Sequence, residues 1–334
     1  MSKRKRYEEQ FFRALSGFAA WSLIALLEAG VSLDHPALLK SGRWLISKQI
    51  TDVKGDWAIK NPEGVAGGWS FEFENDYFPD VDDTIAICTV LYRLKLPIEE
   101  KVDSIDLAVK WILSMQSRNG GWGAFDKDNT NEWVNKIPFA DHRACLDDPS
   151  PDITARALEL LCELNLSKTN HAKSAVKYLL HSQERFGGWF ARWGVNYIYG
   201  TWCAVTALRK YGWALEHPRL ERASKWLLSI QNSDGGFGES PSSYDENKYI
   251  NSPSCPSQTA WALMALTALG FENSKSAKLA VDYLMKTRNS DGLWSEPNFT
   301  GTGFPSHFYI RYHGYARYFP ILALARWKKA ISQA

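Results

Sequence analysis

The chain has 334 residues, 39 Lys plus Arg against 37 Asp plus Glu, and a formal net charge of +2, so it carries no electrostatic footprint for nucleic acid. Five scattered cysteines (Cys88, Cys145, Cys162, Cys203, Cys255) form no Cys-x-x-Cys pair, which argues against a zinc site or a disulfide framework and for a reducing compartment. Aromatic residues make up 13% of the chain, with 15 Trp, and many sit beside glycine, a pattern of rings lining a cavity or stacked at helix ends.

In chain order, a basic start (Met1 to Arg6) precedes an apolar run from Phe11 to Leu27. Glu8, Glu9 and Arg13 interrupt that run, and Trp21, Leu23, Leu26 and Leu27 have amphipathic spacing, so it reads as a helix from Glu8 to Ala29 and not as a signal peptide. It is too short for a membrane span. The expected location is cytoplasmic, with peripheral contact at the cytoplasmic membrane face left open.

A repeat follows. Trp44-Leu45-Ile46-Ser47-Lys48-Gln49 leads to Gly55-Asp56-Trp57, and Trp111 to Gln116 leads to Gly120-Gly121-Trp122. Tyr178 to Gln183 leads to Gly187-Gly188-Trp189, Trp226 to Gln231 leads to Gly235-Gly236-Phe237, and Tyr283 to Arg288 leads to Gly292-Leu293-Trp294. Each unit is an amphipathic helix closed by a glycine turn. The terminal glutamine is expected to bond exposed backbone carbonyls under the tryptophan and tie neighbouring helices together.

Between these helices lie more continuously apolar ones: Asp82 to Leu94, Asp152 to Asn165, Tyr197 to Tyr211, Pro256 to Leu269 and Tyr318 to Lys329. Helices apolar all round are buried. The alternation predicts an all-α fold, a single six-hairpin α/α barrel over residues 1–334, completed by the N-terminal helix of residues 1–30. Long loops at the starts of the inner helices then hold the chemistry.

Asp80-Val81-Asp82-Asp83 places three carboxylates ahead of the apolar run Ile85 to Leu96. Crowded carboxylates in a low-dielectric site cannot all ionise, so one is held protonated as a Brønsted acid; the alternative is a helix cap. Asp152 and Arg156 lie four apart on one helical face, as site residues or as a local ion pair. Asp126, Asp128, Asp141, Asp147 and Asp148 read mostly as solvated or capping. Phe304, Phe308, Tyr312 and Tyr315 recur at three- and four-residue spacing in a Gly- and Pro-interrupted segment, a pattern read as a cavity wall. An acid above such rings suits protonation of an alkene, because ring faces stabilise cations without a lone pair to quench them, and a dry pocket excludes water.

These segments resemble the class II terpene cyclases of the squalene–hopene cyclase family, from about Ala29 to Trp327. Asp80-Val81-Asp82-Asp83 is similar to its D-x-D-D acid motif, and the Gln…Gly…Trp units to its QW repeats. The resemblance implies that Asp82 donates the proton, with Asp80 and Asp83 tuning or orienting it. It further implies Asp152 as a supporting acid with Asp148 nearby, and Tyr199 as a group that helps return the proton. Phe71, Phe125, Trp193, Phe304, Phe308, Tyr312 and Tyr315 match pocket aromatics that steady cations. It implies neither metal nor cofactor.

Departures are equally specific. Only the catalytic barrel of a two-barrel family is represented, as in monodomain meroterpenoid cyclases. Arg156 replaces a histidine partner of the acid, which would lower that acid's pKa. Phe125 replaces a tyrosine in some members, and Gly17 sits nearest a missing tryptophan. The implied substrate is a hydrophobic polyprenyl chain, with a prenylated (geranylgeranylated) hydroxybenzoate as the leading form. A free polyprenol, a squalene-type triterpene or half of a split enzyme are the alternatives. His307, Arg311, His313 and Arg317 are candidates for a polar head group or are solvated charges. A zinc prenyltransferase subunit and an α/α-barrel glycoside hydrolase are rivals on the same architecture.

Overall fold

A computed structural model of the chain describes residues 16–72, 75–131, 133 and 146–333. Met1 to Arg6, Glu8, Glu9, Phe11, Arg13, Asp141 and Cys145 lie outside the described residues. The described residues are mostly helical and fall into two compact units. The first runs to Arg118 and adds Trp122–Thr130 and Asp147–Pro149; the second holds Asn119–Gly121 and the chain from Ser150 onward.

In the first unit, α1 (Ser16–Glu28), α2 (Pro36–Ile46) and α5 (Ile98–Ser114) all pack on α4 (Val81–Arg93), with a short α3 (Trp57–Lys60) between α2 and α4. Helix α4 buries Val81, Ile85, Ile87, Val90 and Leu91, as its continuous apolar sequence requires. Its free C-terminal carbonyls are satisfied by Lys101 of α5. The buried Nζ donates to the carbonyls of Leu91, Tyr92 and Leu94, and burial holds this amine below its ordinary pKa.

The second unit is built from α6 (Pro151–Glu163), α7 (Asn170–His181), α8 (Tyr197–Tyr211), α9 (Pro218–Ser229), a short α10 (Ser243–Glu246), α11 (Pro256–Ala268), α12 (Lys275–Lys286) and α13 (Tyr315–Ile331). The apolar helices α6, α8, α11 and α13 pack in that succession. The amphipathic ones cover them: α7 lies on α6, α9 on α8 and α12 on α11. Amphipathic helices begin with side-chain caps, Thr169 accepting from the Ala172 N–H and Ser274 from the Ala277 N–H. Helix α8 ends on Gly212, whose φ of 110° is open to glycine at little cost.

The repeats work through two hydrogen-bond devices. In three of them the turn tryptophan donates its indole N–H to a carbonyl ten residues back, Trp122 to Ile112, Trp189 to Leu179 and Trp294 to Leu284, each at 2.7 Å. The glutamine amide donates both to its own turn and to the next amphipathic helix. Gln183 reaches the Gly187 and Arg219 carbonyls, Gln231 those of Gly235 and Ser276, and Gln49 those of Gly67 and Ser104. The expected tie between neighbouring helices is therefore present. The first repeat needs a correction, because its turn closes on Gly67-Gly68-Trp69 and not on Trp57. The Trp69 indole donates to the Leu45 carbonyl, while Trp57 starts α3 and packs edge-on against Trp111 at 6.0 Å.

Two short antiparallel ribbons supplement the helices: β1 (Trp69–Ser70) with β2 (Pro79–Asp80), and β3 (Gly301–Phe304) with β4 (Phe308–Ile310). The first sets Trp69 opposite Asp80, at the threshold of α4.

Candidate active site

The acid motif of the first unit is both a cap and a crowded carboxylate site. Asp80 leaves β2 in extended backbone, and its Oδ1 accepts the Asp83 N–H at 2.9 Å. Its carbonyl accepts the Thr84 hydroxyl at 2.6 Å, and Thr84 Oγ1 in turn accepts the Trp69 N–H at 2.9 Å. Asp80 and Asp83 are buried and Asp82 is partly exposed. Burial foremost, then the charge of Asp82, pushes the Asp80 carboxyl up to about 8; N–H bonds from Asp83 and Asp82 oppose this, and Asp147 adds to it. Asp80 therefore keeps its proton at neutral pH. Gly17 of α1 admits the Asp83 carboxylate, since a Cβ there would lie 2.0 Å from Oδ1.

Asp147, read from sequence as solvated or capping, instead belongs to the same cluster and is partly buried. Its carboxylate accepts the backbone N–H groups of Ala124, Phe125 and Asp126 at 3.1, 2.6 and 2.7 Å, and burial raises its pKa. It thereby folds the segment carrying Phe125 into place, while the Ala124 carbonyl accepts the Val81 N–H at 2.8 Å, at the start of the acid helix. Asp148 is exposed. Phe71 meets Phe18 edge-on at 6.3 Å.

In the second unit Asp152 is 1% exposed. Its Oδ1 accepts the Ser150 hydroxyl, and its Oδ2 accepts the backbone N–H groups of Arg192 and Trp193 at 3.0 and 3.1 Å. One turn on, the buried Arg156 donates to the Tyr199 hydroxyl and lies 5.2 Å from the Tyr199 ring centre and 6.0 Å from that of Trp202. Tyr199 begins a chain of rings. It meets Trp261 at 4.7 Å, Trp261 meets Phe319 at 5.4 Å and Tyr315 at 5.8 Å, and Tyr315 meets Tyr312 at 4.9 Å. Of the predicted rings, Tyr199, Tyr312 and Tyr315 are thus brought together, joined by Trp202, Trp261 and Phe319, which had read simply as core.

Phe304 and Phe308 face each other across the β3–β4 hairpin, 40% and 51% exposed, so the four-ring stripe is divided between that hairpin, the turn holding Tyr312 and the first residue of α13, Tyr315. The Trp193 ring is covered by the Arg192 guanidinium at 4.5 Å. His307, Arg311, His313 and Arg317 are exposed. Among the described residues, no group of three or more His, Cys, Asp or Glu side chains is arranged to hold a metal ion, and no helix is long and apolar enough to cross a membrane.

Two further buried acids follow the repeat. Glu239 lies two residues beyond Phe237 and Glu296 two beyond Trp294, each reaching the start of an inner helix. Glu239 accepts from Asn196, Tyr197 and Ile198 at α8, and Glu296 accepts from Ser257 at α11. Burial outweighs those bonds and pushes Glu239 up to about 7. Their shared offset from the turn aromatic was the available sequence signal.

The sequence pattern described as "Squalene-hopene cyclase C-terminal domain" matches residues 18–329. The squalene–hopene cyclase of Zymomonas mobilis is 45% identical over 310 residues, 91% of this chain and 47% of that protein. That of Alicyclobacillus acidocaldarius is 46% identical over 315 residues, 93% of this chain and 50% of that protein. The chain belongs to the squalene–hopene cyclase family. Within it, the chain corresponds to the C-terminal domain and spans about half the length of the curated relatives it matches. The type II terpene cyclase MstE from Scytonema superposes with a TM-score of 0.67 at 15% identity, over 96% of this chain and 89% of that one. The fold is therefore that of the α/α-barrel terpene cyclases. A complex of MstE holds its substrate, geranylgeranyl dihydroxybenzoate.

Proposed function

We propose that the chain is a class II terpene cyclase domain over residues 1–334 that protonates the terminal double bond of a linear polyprene and cyclises it. The observation that carries this reading is the Asp80–Asp82 pair, in which a buried carboxyl keeps a proton to about 8 beside a second, less buried one. Asp80 stores the proton and passes it to Asp82, the more accessible member, whose new O–H bond breaks as the alkene π electrons form a C–H bond; Asp83 orients the pair. Successive alkenes attack the cation, and loss of a proton restores the acid, so the product is an isomer of the substrate. Asp152, Arg156 and Tyr199 are assigned to proton return. Phe71, Phe125, Trp193, Phe304, Phe308, Tyr312 and Tyr315 are assigned to steadying cations through their faces.

For the substrate, the fold match to MstE, a chain covered over 89% of its length, supports a prenylated hydroxybenzoate. The 45% identity to a squalene–hopene cyclase over half of that protein favours a second reading, a squalene-type cyclase whose other half is supplied separately. Either substrate partitions into lipid, and contact with the cytoplasmic face of a membrane belongs to the proposal. The test is incubation of the purified chain with geranylgeranyl dihydroxybenzoate, polyprenols and squalene. A chromatographic shift at constant mass supports cyclisation and names the substrate. Turnover that appears only after a separate N-terminal half is added supports the second reading, and no isomer in either arm rejects both.

A further inference from the structure

The segment 191–196, between the Trp189 turn and α8, has its backbone polar groups taken up one after another. The Ala191 N–H donates to Asn196 Oδ1, and the Tyr244 hydroxyl lies 2.9 Å from the carbonyls of both Ala191 and Gly194. The Arg192 and Trp193 N–H groups donate to Asp152, and the Trp193 carbonyl accepts the Thr302 N–H at 3.1 Å. The Val195 N–H donates to the Thr300 carbonyl, and its own carbonyl accepts from the Gln258 amide at 3.1 Å. A strap held at so many of its backbone groups has few alternative geometries, because leaving this one would strand paired groups such as the buried Val195 N–H and carbonyl away from water.

The far end of the strap is held by Glu239. Its carboxylate takes the N–H groups of Asn196, Tyr197 and Ile198 at 3.2, 3.1 and 3.0 Å. Glu239 is itself fixed by Gln258, which accepts its N–H at 2.8 Å and donates to its carbonyl at 3.0 Å; Asn196 also donates to Ser243. Glu239, Asn196, Ser243 and Gln258 are 2%, 0%, 0% and 0% exposed. In the middle of the strap, Gly194 lies on the Tyr199 ring, where an added Cβ would come 2.4 Å from Cγ.

We propose that Glu239 is a positioning residue: by holding the strap 191–196 and the first turn of α8, it sets the Tyr199 ring against Gly194 and presents the Arg192 and Trp193 N–H groups to Asp152. This rests on the cyclase reading for its catalytic consequence, but not for its structural one. Glu239 touches no reacting atom; it acts through Tyr199 and Asp152. A neutral amide at this position offers one acceptor atom where three N–H groups converge, so Glu239→Gln should release the strap without changing side-chain volume.

The test measures hydrogen exchange of peptides spanning 190–199, together with cyclisation kinetics, in the full chain. For Glu239→Gln, strap amides are expected to exchange about 10-fold faster or more while peptides of α4 and α5 stay as in wild type. Turnover is expected to fall about 10- to 100-fold with KM within about twofold, as for a misplaced catalytic group. Gly194→Ala, which leaves the Glu239 bonds in place, should lower kcat similarly without speeding exchange at Asn196–Ile198, and it decides the matter if Glu239→Gln does not fold. Wild-type strap exchange in Glu239→Gln, or wild-type kcat in Gly194→Ala, overturns the proposal. If wild type cyclises no polyprene, the cyclase reading fails, while the exchange measurement still decides whether Glu239 holds the strap.

Discussion

Asp80 Oδ1 accepts the backbone N–H of Asp83 at 2.9 Å, so the carboxyl that burial keeps neutral is also the cap of the helix it precedes. The two roles are separable. Asp80→Asn retains an acceptor for the Asp83 N–H, whereas Asp80→Ala loses it and should cost about 1 kcal/mol more, measured by urea unfolding at pH 6.

The same group sets a pH dependence. Its folded pKa is raised, so the folded state holds a proton that the unfolded chain releases in the ordinary carboxylate range. The stability this confers is present at low pH and is lost as pH rises towards about 8. Unfolding midpoints of Asp80→Asn should therefore fall less than those of wild type between pH 5 and about 8. Cyclisation by wild type should decline on the alkaline side of the same value as the acid pair loses its proton.

Gly17 is required by the Asp83 carboxylate, which would lie 2.0 Å from an added Cβ. Gly17→Ala should destabilise by about 1–3 kcal/mol through overpacking, despite the better helix propensity of alanine. Thermal unfolding measures this, and a stabilised variant would show that the carboxylate moves freely.

Gln183 joins two carbonyls through its amide N–H groups and accepts from Arg222 Nη2 at 2.7 Å. Gln183→Leu leaves the buried Gly187 carbonyl and the partly buried Arg219 carbonyl unpaired and should cost about 1–3 kcal/mol. Trp189→Phe removes the bond to the Leu179 carbonyl and part of a fully buried ring, and should cost about 1–3 kcal/mol. The fourth repeat already carries Phe237 at that place, fully buried. Denaturant titration of both variants would rank them.

Inner helices, amphipathic helices and their glycine turns were legible because periodicity and the Gln…Gly…Trp spacing are local signals. Trp57 stands in sequence where the first repeat's turn tryptophan is expected, because residues 50–66 lengthen that turn, although the Gly67-Gly68 doublet marks Trp69. The roles of Asp147, Glu239 and Glu296 are hidden in sequence because the backbone N–H groups they hold lie 21 to 43 residues away, as with Asp126 for Asp147 and Asn196 for Glu239. Trp202, Trp261 and Phe319 sit in continuously apolar stretches of inner helices, where ring contacts cannot be told from core by spacing. Phe304 and Phe308 share a helical spacing yet occupy a hairpin, which the turn at Pro305-Ser306-His307 creates.

The central claim is that Asp82 delivers the proton. It is tested most directly by comparing wild type with Asp82→Asn on the polyprene that wild type accepts, with product isomers resolved at constant mass and folding checked by circular dichroism. The account predicts cyclic isomer from wild type and none from a fully folded Asp82→Asn. Continued cyclisation by Asp82→Asn would contradict it.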